Sequence, residues 1–93
     1  MSSDSQKEIR WSDHAQFKLK LLAERGLVLT IDQVNAIVRQ SDRLIQETDK
    51  SIAQSSINET PVLRVVYREF EAFVLIITLY PGRRSRYEKD SLQ

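Results

Sequence analysis

The chain has 93 residues, 41% apolar and 29% charged, with a net charge of +1, which bounds it to one globular domain with a modest core and no whole-molecule field that names a partner. It contains no cysteine and one histidine, which excludes disulfides and thiolate metal sites; no ligand-spaced carboxylates appear, so neither a metal nor a cofactor is expected. No apolar run has the length of a membrane span, and Met1 to Glu8 lacks the pattern of a signal peptide, so a non-membrane, cytoplasmic protein is expected.

Residues 1–8 are serine-rich and charged and read as a flexible arm, 9–87 as the single domain, and 88–93 as a tail. Ile9-Arg10-Trp11 is either a brief strand or an apolar anchor. Ser12 suits a helix N-cap, with Asp13 in the first turn, where a negative charge suits the helix dipole. The spacing predicts a helix from Asp13 to about Arg25, stopped at Gly26. Ala15, Phe17, Leu19, Leu21 and Leu22 cover one broad side of it. His14, Lys18 and Arg25 project along one line inside that apolar arc, where polar side chains either snorkel at a rim or line a site. Thr30 and Gln33 have the spacing of a capping box, opening a second helix that ends near Gln40 to Ser41 and packs Val34, Ile37 and Val38.

Arg43 to Glu47 and Ser51 to Ile57 read as two modest, edge-like strands around a Thr48-Asp49-Lys50 turn. Asn58 to Pro61 turns the chain into its strongest feature, a β-hairpin. Two runs rich in β-branched and aromatic residues, Val62 to Arg68 and Phe73 to Tyr80, flank a short connection. The second run is apolar on both faces and should lie centrally, covered on both sides. Pro81-Gly82 should end it. The expected fold is α+β, two N-terminal helices packed on a four-stranded antiparallel sheet.

The ordered set Trp11-Ser12-Asp13-His14-Ala15, Arg25-Gly26-Leu27, Leu63-Arg64-Val65-Val66-Tyr67-Arg68, Ile76-Ile77-Thr78-Leu79-Tyr80-Pro81 and Arg86-Tyr87 resembles a family of small, mostly bacterial domains catalogued as domain of unknown function 4258. That family looks related to the RelE/ParE toxin fold. The resemblance covers roughly Ile9 to Tyr87. It implies a toxin or toxin-derived, metal-independent endoribonuclease, with a cognate antitoxin as a protein partner. At position 18 this chain has lysine where arginine is as common; lysine binds phosphate as a point charge and arginine bidentately.

Metal-free RNA cleavage needs a group to take the 2′-hydroxyl proton, cations for the phosphorane-like charge, and an acid for the leaving oxygen. Histidine changes charge nearest neutral pH, so His14 suits the proton transfers; the bland alternative is a cap on its own helix or a hydrogen bond to a sheet residue. Arg64 and Arg68, four apart on one strand face, with Tyr80 complete the candidate catalytic set. Lys18, Arg25, Tyr67, Thr78, Arg83, Arg84, Arg86 and Tyr87 are candidates for holding phosphate or stacking a base. The Arg83-Arg84-Arg86 cluster equally suits an acidic antitoxin or a plain tail, and the face that carries Arg64 and Arg68 depends on a hairpin register the turn does not fix. Three readings follow: a ribonuclease toxin that acts on RNA, a non-catalytic module that binds a protein as gyrase-inhibiting relatives do, and a scaffold alone. The sequence leaves the oligomeric state open.

Overall fold

A computed structural model describes residues 7–57 and 61–83. In chain order the elements are β1 (Glu8–Trp11), α1 (Asp13–Glu24), α2 (Ile31–Arg39), β2 (Arg43–Gln46), β3 (Ser51–Ser56), β4 (Pro61–Glu69) and β5 (Phe73–Arg83). The strands form one sheet in the order β1-β5-β4-β3-β2.

This corrects the expected fold. The sheet has five strands, not four, and is mixed, not antiparallel: β1 runs parallel to β5 from Glu8 opposite Phe73 to Trp11 opposite Ile76. The physical reason lies in β5, whose outer edge would otherwise leave backbone donors and acceptors unpaired. β1 pairs them and packs Ile9 and Trp11 against the core. Trp11 also donates its indole N–H to Asn35 Oδ1 on α2 at 3.0 Å. Glu8, expected in the arm, therefore opens a strand. The turn expected at Asn58 to Pro61 falls largely outside the described residues.

Both helices begin and end where local chemistry dictates. Ser12 Oγ accepts from the Ala15 N–H, and Thr30 and Gln33 make the reciprocal capping box. Gly26 has φ 96°, a left-handed conformation that costs glycine little. With it, Leu27 N–H donates to Leu22 O and Gly26 N–H to Ala23 O, the Schellman pattern that closes a helix.

The helices cover one face of the sheet. Ala15 and Leu22 of α1 and Val34 and Ile37 of α2 join Ala53, Leu63, Val65, Tyr67, Val74, Ile76 and Leu79 in the core. Leu63, Val65, Ile76, Leu79 and Val34 are fully buried, each contributing about 1.5–3 kcal/mol by area removed from water. Phe17, expected on the buried side of α1, is 58% exposed, because the packed stripe is Ala15, Leu19 and Leu22.

A β-bulge organises β5. Thr78 pairs with Val66 but Ile76 with Tyr67, so Ile77 is the extra residue. Without it Ile76 and Leu79, three apart, would face opposite sides. With it both are buried beneath the helices, and Leu75, Thr78 and Tyr80 share the other face. Ser12 secures this point: its Oγ donates to the Ile77 carbonyl at 2.9 Å and its N–H to the Ile76 carbonyl at 3.0 Å. One serine caps α1 and seats it on the bulge.

Two further expectations change. β5 lies centrally from Phe73 to Ile76, but among the described residues no helix covers its second face, and Phe73, Leu75 and Ile77 are half-buried. Pro81-Gly82 does not end it; the strand continues to Arg83, with Pro81 opposite Leu63. β1 pairs only as far as Ile76, so beyond that point β5 is an edge strand, where a missing N–H is tolerated. β3 is likewise interior, between β2 and β4, not an edge.

Candidate functional site

The open face is built by alternation. With Leu63, Val65 and Tyr67 under the helices, Val62, Arg64, Val66 and Arg68 must point the other way. Cross-strand pairing extends that assignment. Arg43, Gln54, Arg64 and Tyr80 stand opposite one another in a single row across β2, β3, β4 and β5. Beside it lies a second row, Ile45, Ile52, Val66 and Thr78. Nearer the β4–β5 turn, Leu75 faces Arg68 on one side and Arg10 on the other.

Arg64 is the centre of the first row. Its Nη1 donates to Gln54 Oε1 at 3.3 Å, and its guanidinium carbon lies 5.7 Å from the Tyr80 ring centroid. These contacts hold the guanidinium plane against the sheet in a fixed pose. Gln54 is buried while Arg43 is exposed at the row's far end. Among the described strand residues this face carries Arg10, Arg43, Arg64 and Arg68 against the single carboxylate Glu8. Glu8 already holds Arg10, Oε2 to Nε at 3.2 Å. With four guanidiniums and one carboxylate among its described strand residues, this face has a positive local field despite the chain's near-neutral total.

The structure thus brings Arg64, Arg68, Thr78 and Tyr80 onto one face. It places the other expected residues elsewhere. His14 and Arg25 are exposed and Lys18 half-buried on α1, whose packed side meets the opposite face of the sheet. The His14 side chain makes no hydrogen bond or ion pair with another described residue. Tyr67 is buried on the helix face, where it lines a cavity of about 210 Å³ with Lys7, Ile9, Val38, Arg39 and Glu69. Burial pushes its phenol above the usual 10.0, and the nearby Glu69 charge adds to this, while a hydrogen bond with Ser51 works the other way. Arg83 closes β5; Arg84, Arg86 and Tyr87 lie outside the described residues, as do residues 1–6 and 88–93.

Arg43, Gln54 and Arg10 were not among the candidates from sequence. Period-two alternation puts Arg43 and Ile45 on one face of β2, but which residue of β3 stands opposite is a matter of register. Arg10 required knowing that β1 joins the sheet.

Among the described residues no helix is long and apolar enough to cross a membrane, and no group of three or more His, Asp or Glu is arranged to hold a metal ion. Comparison of the chain with family models, with curated proteins and with solved structures finds no match.

Proposed function

We propose that this chain binds single-stranded RNA on the open face of its sheet. The observation that carries the reading is the cross-strand row Arg43–Gln54–Arg64–Tyr80. Planar guanidiniums suit phosphate oxygens bidentately, and a tyrosine ring beside them offers a stacking surface for a base. Gln54, buried within the row, accepts from Arg64 and helps to hold the guanidinium in place. A flat sheet face admits splayed, unpaired bases, which a duplex does not present. The motif resemblance supports the same ligand, and the reading places the protein in the cytoplasm with it.

A second reading, ribonuclease action of the toxin type, is favoured by one contact: Tyr80 packs against Arg64. In such a step the 2′-oxygen attacks the adjacent phosphorus, its proton passing to a base. The P–O5′ bond breaks, and the 5′-oxygen takes a proton from an acid. Arg64 and Arg68 would stabilise the charge on the phosphoryl oxygens, and Tyr80 stands beside them as the candidate acid. His14 would serve as the base only for a strand that wraps past β5 onto α1.

The test is a paired binding and cleavage assay on labelled single-stranded RNA. Parent protein should bind, and Arg64→Ala should weaken binding by about tenfold or more. Cleavage that Tyr80→Phe abolishes while binding persists would establish the ribonuclease. Binding without cleavage by any version leaves the binding module. Growth arrest on expression, relieved by Arg64→Ala, would connect either to a toxin and its antitoxin. Absence of RNA binding at low salt would overturn the proposal.

A further inference from the structure

A second cluster occupies the same face at the β4–β5 turn. The Phe70 and Phe73 rings stack with centroids 4.9 Å apart and planes 27° from parallel. The Arg68 guanidinium carbon lies 5.4 Å from the Phe70 centroid, and that of Arg10 lies 4.2 Å from the Phe73 centroid. Four planar groups from β1, β4, the turn and β5 therefore form one ladder, guanidinium, ring, ring, guanidinium. Core packing does not account for it, since Arg10, Arg68 and Phe70 are all exposed. Nor does the turn depend on it: the backbone closes through Phe70 N–H to Phe73 O at 2.8 Å, and Lys7 Nζ donates to Phe70 O at 2.7 Å. Glu8 holds Arg10 in place, whereas Arg68 forms no ion pair with a described residue.

We infer that this ladder is a second base-stacking subsite, so that the ligand is a single strand long enough to reach both it and the Arg64–Tyr80 row. The inference rests on the RNA reading above. The end of the ladder, the exposed Arg68 guanidinium backed by the Phe70 ring, offers a plane on which any base can stack, and its N–H edge is placed to hold the adjoining phosphate. Arg64 and Arg68 are four residues apart on β4, about 13 Å at strand rise. About four stacked nucleotides cover that distance at roughly 3.4 Å each, and fewer do so if the strand is extended. A dinucleotide therefore reaches one subsite and a hexanucleotide both. Linking the two makes the second contact intramolecular, which raises affinity without any new group. Between them lie Ile52 and Val66, apolar and nearly buried, which give the intervening bases no hydrogen-bond code. Recognition along this path is by stacking and phosphate, not by sequence.

The experiment is calorimetric titration of the full chain with unlabelled diuridylate and hexauridylate. The parent should bind the hexanucleotide at least about tenfold more tightly. Phe70→Ala should remove about tenfold of the hexanucleotide affinity, the loss of one stacked base, while thermal unfolding stays near the parent's. Phe70→Trp should restore it. If Phe70→Ala fails to fold, Arg68→Gln gives the same comparison with the rings intact. Hexanucleotide binding that depends on Arg64 but is indifferent to Phe70 and Arg68 would overturn this inference and leave the RNA reading standing. A parent that binds neither ligand would overturn both.

Discussion

One sheet carries two faces of opposite character, made from the same strands by simple alternation. On β4, Leu63, Val65 and Tyr67 sink under the helices while Arg64 and Arg68 stand out from the other side. The covered face holds the fold together through apolar area removed from water. The open face also buries Val62, Ile52 and Val66, and it fixes guanidiniums and rings in rows whose spacing the covered face sets. What joins the two is the Ile77 bulge. It keeps Ile76 and Leu79 together in the core, and so places Thr78 and Tyr80 beside Val66 and Arg64. On β4 the main core residues and the arginines proposed for recognition are alternate residues, so each set can be changed without the other.

The most forceful way to break that comparison is to cut into each face in turn. Ile76→Ala, at a fully buried site, should cost about 2–5 kcal/mol in chemical unfolding. Arg64→Ala should cost less, about 1–2 kcal/mol of stability, because the buried Gln54 Oε1 loses its donor, while weakening RNA binding by about 1–3 kcal/mol. If the two variants traded these effects, the assignment of roles to faces would be wrong. Ser12→Ala sharpens the link between them. It removes both the α1 cap and the donor to the Ile77 carbonyl, and should cost about 1–2 kcal/mol, measured by denaturant midpoint. Gly26→Ala should cost about 1 kcal/mol from its left-handed backbone. No heavy atom lies within 4 Å of the added methyl, so RNA affinity should not change.

Tyr67 gives the smallest effect, and a signed one. Its phenol is held above 10.0 in the folded chain. Below that pH both folded and unfolded states keep the proton, and stability is level. As pH rises past it the unfolded chain deprotonates first, so stability falls until the folded phenol also ionises. Tyr67→Phe should remove that part of the alkaline decline. An alkaline unfolding profile identical in parent and variant would contradict the burial.

How much of this was legible beforehand depended on whether the signal was local. Ser12, Thr30, Gln33 and Gly26 mark helix ends by their own hydrogen bonds and dihedrals, and α1 and α2 stop within a residue or two of where those residues imply. The two hairpin runs announce themselves by β-branched composition. β1 does not, because four residues of alternating exposure become a strand only when β5 offers an edge. The candidate site shows the same divide. That Arg64 and Arg68 share a face follows from period two, but their neighbours follow from register. Register here hangs on one extra residue, and no local chemistry in Ile76-Ile77-Thr78 announces it. Gathering His14 with the arginines treated a shared role as a shared place, and the sheet lies between the packed side of α1 and the arginine face.

The central claim is that ligand recognition belongs to the open face alone. The most direct measurement is two-dimensional NMR of the isotope-labelled protein during titration with a single-stranded hexauridylate. It would follow the Nε–Hε signals of Arg43, Arg64 and Arg68 beside the methyl signals of Leu63, Val65, Val34 and Leu22. The account predicts that the arginine signals and the methyls of Ile52 and Val66 move together and saturate, while the core methyls stay nearly still. Shifts confined to α1 and α2, or none at saturating RNA, would contradict it.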